Sequence, residues 1–172
     1  MVMKAVATRL AGLTAMAAGL FAAGVMVGSD GARAADILLS AAVGEETVQL
    51  VQAAPKVMQV VVNDKVVYED RDGASFAFVN AYNLQGRWLV LLRQSADGGC
   101  AARFRVLDLT AAKPTVSLPF GTCSEAPQVA MADRTLTVSM PVIDGKGTDG
   151  KRAAAKGTAA WNYQEGMLVR VR

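Results

Sequence analysis

Val57-Met58-Gln59-Val60-Val61-Val62-Asn63-Asp64-Lys65-Val66-Val67-Tyr68-Glu69 carries the clearest fold signal in this chain. Two Val-rich runs flank Asn63-Asp64, a pair that accepts φ > 0 and so closes a tight two-residue hairpin. Working outward, the same pattern recurs. A run at 47–52 precedes the hairpin, and a second hairpin joins 75–82 to 88–94 across Asn83-Leu84-Gln85-Gly86. Within it, Trp88-Leu89-Val90-Leu91-Leu92 is apolar at every position, which suits a central strand covered on both faces.

Further along, residues 96–99 turn the chain into a strand at 101–109, and Lys113-Pro114 ends that element before 115–118. Leu136, Val138 and Met140 alternate with Thr135, Thr137 and Ser139, so this strand has one wet face. Trp161 and Tyr163 alternate with Asn162 and Gln164, Glu165-Gly166 turns, and Met167, Val169 and Val171 continue a final hairpin. The expectation is an all-β domain: an antiparallel meander of about eight or nine strands forming a sandwich or a barrel. Spacing does not choose between the two. No internal repeat is visible, and residues 144–157, rich in Gly and Lys, read as a long exposed loop.

The N-terminus reads differently. Lys4 and Arg9 precede an uncharged run from 10 to 27 dominated by Ala and Gly, and Ala32-Arg33-Ala34 supplies the small-x-small pattern of a signal peptidase site. Residues 1–34 are expected to be a removed signal peptide, leaving 35–172 as a single periplasmic or secreted β-domain. The run is long enough to raise a membrane anchor as the alternative, but Ala and Gly contribute little transfer energy. Of 18 cations and 15 anions in the chain, the leader holds Lys4, Arg9, Arg33 and Asp30, so the remainder carries 15 against 14. A charge near zero gives nucleic acid no hold, and no membrane span is expected after the leader is removed.

Only two cysteines are present, Cys100 and Cys123, and in an oxidising compartment they have one way to pair within the chain. Free thiols or a metal pair are the alternatives, and a metal would need two further soft ligands that a chain without histidine does not offer.

The same lack of histidine removes every Ser-His-Asp and Cys-His arrangement and the commonest general base. Hydrolysis by carboxylates alone is the chemistry left open. Glu69-Asp70-Arg71-Asp72 supplies acids, in what reads as a solvated turn with Arg71 as local counter-ion. Gly145-Lys146-Gly147-Thr148-Asp149-Gly150-Lys151-Arg152 fits a phosphate loop until Arg152 stands where a Mg²⁺-ligating hydroxyl is required. Asp144 and Asp149 are too few carboxylates for a calcium loop. No cofactor and no metal are expected.

Closing the 96–99 turn would bring Arg93 near Arg103 and Arg105 on the next strand, with Arg87 at the far end. Like charges side by side across strands are unfavourable unless an anion lies between them, so these arginines form a candidate contact for an anionic glycan or a carboxylate on an envelope protein. The competing reading is that Asp97, Asp108 and other acids neutralise them while their stems cover the sheet.

The segment Gly98-Gly99-Cys100, Phe104-Arg105-Val106-Leu107 and Phe120-Gly121-Thr122-Cys123-Ser124 resembles a recurring unit of uncharacterised exported bacterial β-rich proteins, over about a sixth of the chain. That resemblance implies an envelope location and a disulfide-linked strand pair. In size and class the domain is also similar to small periplasmic lysozyme inhibitors, whose inhibitory motifs do not align to it. The function expected is therefore a non-enzymatic binding or interaction module; the alternatives are a carboxylate-only hydrolase acting on envelope glycans and a small envelope inhibitor.

Overall fold

The computed structural model describes residues 35–95, 100–110, 113–142 and 157–171. The expected leader (1–34), the expected turn at 96–99 and nearly all of the expected loop at 144–157, with its phosphate-loop-like pattern, lie outside the described residues.

Twelve strands follow one another, with no helix among the described residues: β1 (Asp36–Val43), β2 (Glu46–Ala54), β3 (Val57–Val62), β4 (Lys65–Asp70), β5 (Ser75–Leu84), β6 (Arg87–Ser95), β7 (Arg103–Asp108), β8 (Thr115–Val116), β9 (Gln128–Ala132), β10 (Thr135–Pro141), β11 (Thr158–Gln164) and β12 (Met167–Arg170). They form three four-stranded antiparallel sheets, β1-β2-β3-β4, β5-β6-β7-β8 and β9-β10-β11-β12, each a meander of consecutive strands. The all-β expectation holds, and the architecture is sandwich-like.

Tight turns make the meanders possible. Asn63 and Asp64 both have positive φ (45° and 61°), as do Gln85-Gly86 (54° and 87°) and Glu165-Gly166 (50° and 84°), the pattern of a two-residue turn whose twist matches that of its strands. Asn63 adds a local lock: its side-chain oxygen accepts the Thr47 amide at 2.8 Å, and its amide nitrogen donates to Glu46.

The second sheet is the middle layer. Along β6, Leu89 and Leu91 enter one core while Val90 and Leu92 enter another, and all four are at most 2% exposed. The first core sets Val48, Leu50, Val60 and Val62 of the first sheet against Phe76, Val90, Leu92 and Leu107. The other sets Leu136, Val138, Met140 and Trp161 of the third sheet against Leu89, Leu91, Phe104 and Val106. Apolar residues at every position of 88–92 are the requirement of a strand with two dry faces.

Twelve strands stand where eight or nine were expected. The strands at which the sequence shows no such run are β1 and β9, and both are sheet edges. Asp36 to Ser40 are all exposed in β1, and four of the five residues of β9 are exposed. Each sends only one residue, Val43 or Val129, to a core, too few for period-2 alternation to be written into its sequence.

At the opposite end from the 85–86 turn, Cys100 and Cys123 form a disulfide with Cα atoms 4.8 Å apart. It ties the start of β7 to a segment that runs on beside β7 after the two-residue β8. Phe104 and Phe120 exchange backbone hydrogen bonds of 2.8 and 2.9 Å, and the Ser117 hydroxyl accepts the Val106 amide at 2.9 Å in place of a ladder carbonyl. Closing a loop with a separation of 23 residues stabilises the fold by about 3 kcal/mol in the chain-entropy description.

Candidate functional site

The second and third sheets part at the end that carries the 85–86, 133–134 and 165–166 turns, opening a cleft of about 570 Å³. Its floor is Asp108, the last residue of β7 and only 3% exposed. Each carboxylate oxygen is engaged. Oδ1 accepts the Thr110 amide at 2.8 Å; Oδ2 accepts the Tyr163 hydroxyl at 3.1 Å and Arg87 Nη2 at 3.3 Å. A buried carboxylate requires this kind of satisfaction, because an unpaired one would be strongly destabilising.

The Tyr163 phenol responds to the same surroundings. Burial, then the Asp108 charge, then its hydrogen bond to that carboxylate push its pKa up to about 12, against smaller opposing effects of Thr115 and Arg87. At neutral pH it is therefore a fixed hydrogen-bond donor. At the rim, Arg134 from the β9–β10 turn and Glu165 from the β11–β12 turn lie 3.7 Å apart, both more than half exposed. Thr110, Thr115 and Ser117 complete a wall of hydroxyls. The cleft thus presents oriented guanidinium and hydroxyl groups, with both of its acids beside an arginine.

Arg87 and Trp88 are consecutive in β6 and so point to opposite faces. On the Trp88 side lies a second hollow of about 400 Å³, bordered by Gly44, Glu45, Glu46, Gly86 and Leu109. The indole packs so close to Gly44 that a Cβ there would lie 2.5 Å from Nε1, and Gly44 has φ +64°. Among the described residues, no cluster of three or more Cys, Asp or Glu is placed to hold a metal, and no helix is long and apolar enough to cross a membrane.

The three arginines singled out from the sequence do not share one surface. Register pairs Arg93 with Phe104, Gln94 with Arg103 and Leu92 with Arg105, which sets Arg93 on one face of the sheet and Arg103 and Arg105 on the other. Arg93 reaches Glu125 at 3.5 Å in an exposed pair, and Arg103 is exposed. Arg105 is buried. Its Nε donates to Gln94 Oε1 at 2.7 Å, its Nη1 donates to the Ser117 carbonyl at 2.8 Å, and its guanidinium lies 4.4 Å from the centre of the Tyr68 ring. Burial lowers the Arg105 pKa, opposed by Tyr68 and Asp70. It acts as a tie between the first and second sheets, as a stacked planar cation can.

Asp70, read as part of a solvated acidic turn, is also buried. Its Oδ1 accepts the Asp72 and Ala74 amides at 3.0 and 3.2 Å, and its Oδ2 accepts Gln94 at 3.2 Å, so it shapes the β4–β5 connection from within. Glu69 and Arg71 pair at 2.6 Å on the surface, as the local counter-ion reading expects.

Comparisons with protein-family models, with curated proteins and with solved structures found no match to this chain.

Proposed function

We propose that this is an exported binding module, working in the periplasm or outside the cell, whose contact site is the cleft between the second and third sheets. The carrying observation is the placement of Arg87 and Arg134, one inside the cleft and one at its rim, each held by a carboxylate. Guanidinium groups fixed in this way are suited to the carboxylates of an envelope protein or an acidic glycan. The Cys100–Cys123 disulfide supports export, since such bonds persist in oxidising compartments, and the leader pattern supports it from the sequence side.

Titration of the purified protein with uronic-acid oligosaccharides and with peptides bearing acidic side chains, followed by calorimetry, tests the reading. Saturable, salt-sensitive binding that weakens about tenfold in Arg134→Ala is expected, the size of one lost charge-assisted contact. Absence of saturable binding to either class would remove the proposal.

A carboxylate-only hydrolase is the second reading, favoured by Asp108 and Glu165 lining the same cleft. Asp108 is a poor fit to that role, because three donors already hold it. Release of cleaved glycan by the wild type, abolished in both Asp108→Asn and Glu165→Gln, would establish the enzyme instead.

A further inference from the structure

The Arg87 cleft has a neighbour of opposite charge. Arg87 and Trp88 stand on opposite faces at the start of β6, so the hollow beside Trp88 lies at the same end of the middle sheet as the cleft. Thr110, exposed just past the end of β7, borders both. The Leu109 amide donates to the Trp88 carbonyl at 3.0 Å, which holds the Thr110 segment beside the start of β6. The acids of the two sites differ. Asp108 and Glu165 in the cleft each lie beside an arginine, whereas Glu45 and Glu46 in the hollow pair with no lysine or arginine among the described residues. Glu46 accepts the Asn63 side-chain amide, a neutral donor that brings no opposing charge, and Glu45 is exposed. Trp88 is itself partly exposed, and carboxylates beside an indole draw an organic cation through charge and ring quadrupole together.

We propose that the partner of the cleft is a protein segment carrying one acidic and one basic side chain: its carboxylate is held by Arg87 and Arg134, and its ammonium or guanidinium lies against Trp88, Glu45 and Glu46. The assignment rests on the cleft being the contact site, and it selects a peptide over a uronic-acid glycan, which brings no cation for the hollow. Packed sheets lie about 10 Å apart, so the two sites, one on each face of the middle sheet, are separated by about that distance. An extended chain covers it in about three residues. Such a segment laps over the end of the sheet at Thr110, so both sites are reached without opening the fold. The pairing of opposite charges also discriminates, since a purely acidic chain would set its second carboxylate against Glu45 and Glu46.

Calorimetry on the purified protein tests this with a blocked peptide bearing glutamate and lysine three positions apart, the same peptide with glutamine for lysine, and a uronic-acid oligosaccharide. The wild type is expected to bind the glutamate–lysine peptide about tenfold more tightly than either of the others. Glu45→Gln and Glu46→Gln should each shrink that advantage and leave affinity for the glutamine peptide little changed; a glutamine oxygen at position 46 still accepts from Asn63. Arg134→Ala should weaken both peptides alike. Equal affinity for the two peptides, with the dependence on Arg134 intact, would overturn the proposal and leave the cleft reading standing. An oligosaccharide bound as tightly as the glutamate–lysine peptide would do the same. An advantage that survives both glutamate substitutions would also overturn it, because the basic side chain would then sit elsewhere. No saturable binding of any probe would remove the cleft reading itself, and the proposal with it.

Discussion

Asp108 and Tyr163 lie 55 positions apart in the chain and meet at 3.1 Å, carboxylate to hydroxyl, where the second sheet faces the third. The rest of the core cluster that Tyr163 joins is apolar. The contact is therefore directional where its neighbours are not, and with Arg87 it fixes how the third sheet sits over β6 and β7.

Removing Arg87 leaves the Asp108 charge buried with only the Thr110 amide and the Tyr163 hydroxyl. We expect Arg87→Met to destabilise the fold by about 3 kcal/mol. The double variant Arg87→Met with Asp108→Asn should recover a substantial part of that loss, because no uncompensated charge remains. Urea unfolding of the two variants checks the order.

Tyr163 also makes a statement about alkaline stability. Its folded pKa of about 12 exceeds the 10.0 of a free phenol. Its stabilisation is therefore fully present below pH 10 and is lost as pH rises toward and through 12. Tyr68 and Tyr82 are likewise raised, both chiefly by burial. Absorbance at 295 nm should show no phenol ionising at the free value in the folded protein. Tyr163→Phe should remove the latest step and flatten the fall in stability over that window.

Cys100→Ser with Cys123→Ser should lower stability by about 3 kcal/mol relative to the oxidised wild type, the loop-closure value. In reductant the wild type and the double variant should unfold at similar urea concentrations. A difference that persists in reductant would mean that the serines perturb the folded structure itself.

Gly44 and Gly86 both have positive φ, yet only one is crowded. Gly44→Ala would press a methyl onto the Trp88 indole, whereas Gly86 has nothing within 4 Å of its would-be Cβ. We expect Gly86→Ala to cost about 1 kcal/mol through backbone strain alone. Gly44→Ala should cost about 1–3 kcal/mol more, with a shift in tryptophan emission that Gly86→Ala lacks.

What the sequence made legible follows from where each residue's partners lie. The hairpin at 57–69 is local, and its turn chemistry and runs sit side by side. The strand around Leu89–Leu92 announces two dry faces by having no polar position. β1 and β9 each turn a single residue, Val43 or Val129, to a core, so neither left a pattern. The cleft was hidden for another reason: Asp108 was visible as a neutralising acid and Arg87 as an outlying cation, but their meeting with Tyr163 depends on the stacking of two sheets. One signal was available. Phe104-Arg105-Val106-Leu107-Asp108 places an arginine and an aspartate in an otherwise apolar run, and both prove to be buried and bonded. The arginine patch failed to assemble because strand parity, and not nearness in sequence, decides which side chains share a face.

Because Leu89 and Leu91 serve one interior and Val90 and Leu92 the other, β6 belongs to both at once. Peeling away either outer sheet would wet one side of that strand, so the layers should open together. The slowest amide hydrogens to exchange with solvent should be those of β6, at the rate of whole-molecule unfolding, although the chain lays its three meanders down one after another.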